Sequence, residues 1–146
     1  MWVKILDIGF DLNLLNWDVP QQATNYFKVE DGLITYYNYA DQFYINQGNT
    51  ALPEGEWCML TWVNFGNIAD PKANTMLMYV NGGVDSSVFN SYTAGTAGSA
   101  GNGTCNVICK NSSNPNTSIA SVQFYDKSLT AAEIQQNYKA NVNLYN

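Results

Sequence analysis

The sequence predicts an all-β protein in which antiparallel sheets pack face to face, with one short helix near the C-terminus. Three observations predict it. Short runs rich in β-branched and aromatic residues recur along most of the chain, bounded by Gly, Asn, Asp and Pro. Apolar side chains within these runs alternate with period two, the spacing of a half-buried strand. Helical spacing together with a capping signal occurs convincingly in one stretch alone, residues 129–138.

The strands are expected over residues 2–7, 26–30, 33–39, 42–46, 56–65, 75–80, 104–109 and 119–125. Hairpin turns fall at Glu30-Asp31-Gly32 and Asn81-Gly82-Gly83, where Asn, Asp and Gly accept positive φ at little cost. Met76, Met78 and Val80 share one face of their strand, with Leu77 and Tyr79 on the other. Cys58, Leu60 and Trp62 form another inward row, and Val122 and Phe124 a third. Such rows interleave naturally as the core of two packed sheets about 10 Å apart. In the helical stretch Thr130 and Glu133 have capping-box spacing, and Ile134 and Tyr138 lie four residues apart on one docking face. Residues 94–104, nearly devoid of apolar bulk, read as a long mobile loop, and residues 111–117 as a second polar loop interrupted by Pro115.

Composition narrows the function classes. The 146 residues suit a single domain, 1–146, large enough to bury a real core. Only 12% of residues are charged and the net charge is −6, with no Arg and six Lys against twelve acids. No basic face able to neutralise several phosphates can be assembled from them, so nucleic acid is excluded as a partner. No stretch approaches the roughly 18 apolar residues of a membrane span, and no secretory signal precedes the first strand, so membrane insertion is not expected. Of the three cysteines, Cys58 reads as a small core residue, while Cys105 and Cys109 could form a bridge or supply half a metal site.

Three blocks resemble the laminin-G and concanavalin A-like superfamily: Glu56-Trp57-Cys58-Met59-Leu60-Thr61-Trp62, Met76-Leu77-Met78-Tyr79-Val80-Asn81-Gly82, and residues 119–134, where Tyr125 and a short turn lead into Leu129-Thr130-Ala131-Ala132-Glu133-Ile134. The resemblance implies an antiparallel jelly-roll β-sandwich and a lectin-like recognition role. It covers residues 56–140 well. The early Trp2-Val3-Lys4 also resembles a family strand, but family members usually place a further strand or two before it. The fold is therefore expected to lack its first strand and to expose an edge row of amides and carbonyls to which an assembly subunit could add.

Chemistry is not expected. No His is present, which removes the commonest general base. The related glycosidases would use a Glu-x-Asp-x-Glu strand, and this sequence has none. Glu54, Glu56, Asp7 and Asp11 read as solvated turn carboxylates. For a glycan, the aromatic and polar residues Tyr37, Tyr39 and Asp41 supply a platform and hydrogen-bonding groups. Calcium, held by many laminin-G-like domains at the sandwich rim, is the one metal suggested, through Asp70 and Asp85, which would supply only part of its oxygen shell. The reading is a non-enzymatic recognition or structural module at a virion surface, such as a phage or virus fibre, decoration or tail component with lectin-like glycan binding. The alternative is a carbohydrate-binding fragment of a longer secreted or cell-surface protein, and the setting is a virion surface or extracellular.

Overall fold

Two antiparallel sheets face each other in the computed structural model, which describes residues 1–9, 11–19, 23–40, 42–64, 76–85, 88–91, 104–110 and 117–145. Residues 16–19, 23–25, 37–40, 42–46, 64, 76, 88–91 and 104–110 are placed by backbone pairing alone. The strands run β1 (Trp2–Ile5), β2 (Leu12–Val19), β3 (Ala23–Glu30), β4 (Leu33–Ala40), β5 (Gln42–Ala51), β6 (Trp57–Asn64), β7 (Met76–Val80), β8 (Gly83–Asp85), β9 (Val88–Ser91), β10 (Thr104–Lys110) and β11 (Thr117–Ser121). Helix α1 (Ala131–Asn141) follows. One sheet has the order β11-β1-β6-β7-β8, the other β10-β2-β3-β4-β5-β9. The protein is an all-β sandwich with one short C-terminal helix.

Both predicted hairpins form tight two-residue turns of the kind that needs two positive φ values. Asp31 and Gly32 (φ 52° and 73°) join β3 to β4, and Asn81 and Gly82 (φ 50° and 78°) join β7 to β8. Alternation then sorts the strands' side chains. Val3, Ile5, Cys58, Leu60, Met78 and Val80 project from the five-stranded sheet onto Leu12, Leu14, Val29 and Ile34 of the other, and this layer is the main core. Burial in it pushes the Cys58 thiol up to about 11.

The opposite face of the five-stranded sheet carries Trp2, Met59, Val63 and Tyr79, which pack against Leu129 and Ile134. Trp2 stacks on Tyr138 and Tyr145, with ring centroids 5.7 and 4.5 Å apart. The helix starts as its sequence requires: Thr130 is the N-cap and forms the full capping box with Glu133. Lys127 adds an ion pair at 2.6 Å, and these contacts hold the Glu133 carboxyl at about 2, well below its ordinary range.

Three expectations need correction. β2, β8 and β9 were not foreseen. In β2 a bulge between Asn13 and Leu15 breaks the alternation, so Leu14 and Leu15 are both buried and period two is lost. The last strand ends at Ser121, not at residue 125, because its partner β1 ends there, with Trp2 opposite Ser121. Phe124, expected on an inward row with Val122, is therefore 62% exposed. β1 itself lies inside its sheet, flanked by β11 and β6. Residues 94–103 and 111–116, assigned to loops from sequence, lie outside the described residues.

Candidate functional site: a cleft ahead of the first strand

β6 is longer than β1. Its residues Trp57, Cys58 and Met59 pair with Lys4, Val3 and Trp2, whereas β7 accompanies it from Leu60 to Asn64. Leu60 is the last residue of β6 to meet the first strand, and it exchanges both backbone bonds with Met1: the Met1 amine donates to the Leu60 carbonyl at 2.8 Å, and the Leu60 N–H donates to the Met1 carbonyl at 2.9 Å. Met59 instead bonds toward β7, accepting from the Asn81 N–H at 2.8 Å and donating to Asn81 Oδ1 at 2.8 Å.

Backbone groups along an antiparallel strand point alternately to its two sides. The N–H and C=O of Trp62 must therefore turn the way those of Leu60 do, toward the space ahead of Met1. Among the described residues, β1 accompanies β6 only through Met59, with Met1 meeting Leu60. The Trp62 indole Nε1 is buried without a hydrogen-bond partner among the described residues.

That space is a cleft of about 440 Å³ with four walls. Thr61, Trp62 and Val63 of β6 form one side and residues 122–125, continuing from β11, the other. Leu15 and Phe27 of the six-stranded sheet lie beneath, while Leu129 and Ile134 lie above. Its outer rim is aromatic and amide-rich. Phe124 and Tyr125 are 62% and 48% exposed. The Tyr125 hydroxyl donates to Gln123 Oε1 at 2.8 Å and accepts from Asn137 Nδ2 at 3.1 Å, which ties residues 123–125 to the helix.

The residues singled out from sequence lie elsewhere. Asp85 is buried at the far flank of the sheet, in β8. Its Oδ1 accepts from the Asn49 and Thr50 N–H groups, both at 3.0 Å, and from the Thr50 hydroxyl at 2.9 Å. Its Oδ2 is buried without a partner among the described residues and packs so closely on Gly48 that a Cβ there would collide with it. This carboxylate joins β8 to β5 across the two sheets. Asp70, its suggested companion, lies outside the described residues, as does Asp41. Among the described residues no group of three or more acids or cysteines is placed to hold a metal ion.

Tyr37 and Tyr39 belong to β4, where Tyr37 is in register with Tyr26 and Ile45, and Tyr39 with Thr24 and Phe43. Cys105 and Cys109 lie in β10. Glu54, Glu56 and Asp11 are exposed, and Asp7 accepts from the Gly9 N–H at 3.0 Å in a local turn. The sequence reading missed the cleft itself; its one available signal was the strand Trp57–Asn64 outrunning the short Trp2–Ile5.

The fold and cleft define an antiparallel β-sandwich with a helix docked on the outer face of one sheet. No family model, curated protein or solved structure matches the chain. Among the described residues, no helix is long and apolar enough to cross a membrane.

Proposed function

We propose that this chain is a non-enzymatic recognition and structural module, acting at the surface of a virus or phage particle, that takes its ligand in the cleft ahead of β1. The cleft carries the reading. Its volume of about 440 Å³ falls within the roughly 300–1,000 Å³ of ligand sites, which combine apolar walls with a few placed polar groups. The exposed Phe124 and Tyr125 give it an aromatic rim of the sort enriched in recognition surfaces. A sequence without His supports a binding role over a hydrolytic one.

Lectin-like glycan binding on the six-stranded sheet is the second reading, favoured by the Tyr26–Tyr37 pairing of β3 and β4. Its residues would be Tyr37, Tyr39 and Asp41, and calcium its one suggested cofactor. Peptide mapping of purified particles tests the setting: the chain should be present, and its absence would support a longer secreted protein instead. A glycan array run with and without calcium tests the second reading. Binding lost in Tyr37→Ala would move the ligand site to β4, whereas attachment to particles weakened by Phe124→Ser would keep it in the cleft.

A further inference from the structure

We infer that the turn joining β3 to β4 is a site of spontaneous chemical modification, where Asp31 passes through a cyclic imide with Gly32 and becomes β-linked in the main chain. The inference is independent of the cleft. Asp31-Gly32 and Asn81-Gly82 both occupy the two positive-φ positions of a two-residue turn. A third pair of this type, Asn102-Gly103, lies outside the described residues. Such pairs cyclise because a glycine has no Cβ to hinder attack by its amide nitrogen. In a free chain the asparagine reacts first, since an amide loses ammonia more readily than a carboxylate loses water. The fold opposes that order.

Asn81 is clamped. Its N–H donates to the Met59 carbonyl and its side-chain Oδ1 accepts from the Met59 N–H, both at 2.8 Å. Gly82 lies against the helix, where a Cβ would come within 2.9 Å of Tyr138 Cβ and 3.3 Å of Gln135 Cα. To cyclise, the Asn81 side chain must leave Met59, stranding the N–H of a buried residue. The carboxylate of Asp31, by contrast, is exposed and has no hydrogen-bond or ion-pair partner among the described residues. Gly32 is buried, with a contact to Ile8 and its carbonyl accepting from the Leu52 N–H at 2.9 Å. The reacting peptide unit is a different one, made of the Asp31 carbonyl and the Gly32 N–H, and neither group has a backbone partner among the described residues. It can turn toward Asp31 Cγ while the Gly32 carbonyl stays on Leu52.

The Gly32 nitrogen attacks Asp31 Cγ, and one carboxylate oxygen leaves as water, taking the Gly32 amide proton and a proton from solvent. Water then opens the ring. Cleavage between the nitrogen and the Asp31 main-chain carbonyl carbon leaves that carbon as a free carboxylate and routes the chain through Cγ; the nitrogen regains a proton and the other returns to solvent. Water is the only co-reactant, and the product is an isomer with one more main-chain atom in the turn. A two-residue turn matched to strand twist does not accommodate that atom, so the Glu30–Leu33 pair closing the hairpin should loosen.

The test holds the full chain for weeks in warm neutral buffer made with heavy-oxygen water, either folded or unfolded in guanidinium chloride. Peptides are then read by mass spectrometry with electron-based fragmentation, which identifies the β-linkage. Each passage through the ring leaves one heavy oxygen at residue 31, or converts Asn81 to a labelled acid. In the folded protein, label and β-linkage should accumulate at Asp31. The rate at Asp31 divided by that at Asn81 should be about tenfold higher folded than unfolded, as expected when one of the two sites must first open locally. Asp31→Asn should hasten reaction at position 31 of the folded protein. The inference is overturned if residue 31 of the folded protein gains no label, if label appears there without β-linkage, or if the rate ratio is the same in both states.

Discussion

The two flanks of the five-stranded sheet finish in opposite ways, although Trp62, Met78 and Asp85 are level with one another across β6, β7 and β8. On the β8 flank a buried carboxylate gathers three donors from β5 and closes the sandwich. On the β1 flank the ladder stops at Leu60 and a cleft begins. Asp85 Oδ1 is met by three protein donors, whereas Asp85 Oδ2 and the Trp62 indole Nε1 are each buried without a partner among the described residues. An acid singled out from sequence as a metal ligand thus lies on the β8 flank, and the cleft proposed as the ligand site on the β1 flank.

Gly48→Ala should break the closed flank most severely. The new Cβ would collide with Asp85 Oδ2 and lie 2.7 Å from Ile34 Cγ2, an overpacking that costs about 3 kcal/mol by urea denaturation. Asp85→Ala leaves two amides and a hydroxyl of Asn49 and Thr50 without their acceptor and should cost about 2 kcal/mol, with Asp85→Asn milder because it keeps an acceptor oxygen. Chelator should leave the wild-type melting temperature unchanged; a fall reversed by calcium would return Asp85 to the role of metal ligand. On the open flank Phe124→Ser should stay within about 0.5 kcal/mol of wild type, and a larger loss would show that the rim is structural.

The smallest effect is expected from acid. Glu133 is held at about 2 against an ordinary 4.5, so its support for the helix is complete above the ordinary value and is lost as pH falls toward 2. Thermal melts from pH 5 to 2 should show a slightly steeper decline in wild type than in Glu133→Gln, with equal slopes counting against the capping box as a stabilising contact.

What the sequence made legible was local or periodic. Cys58, Leu60, Met78 and Val80 declared their shared burial through period two, and Thr130 and Glu133 declared the helix start through a spacing of three. The bulged β2 hid because its bulge shifts the period. Asp85 meets acceptor-seeking groups 35 and 36 positions away, so nothing near it in the chain reveals its burial. The cleft depends on residues 61–63 and 122–125 converging, and it is a property of unequal strand lengths, which no local pattern records.

The position of β1 also bears on how the protein is made. One of the strand neighbours of Trp2 is Ser121 and its stacking partners are Tyr138 and Tyr145, all far along the sequence from it. During synthesis this strand must wait, partnered on one side at most, until β11 and the helix have left the ribosome. Contacts so distant in sequence are slow to form and leave partly built sheets prone to aggregation. The helix that shields β1 is thus translated well after it.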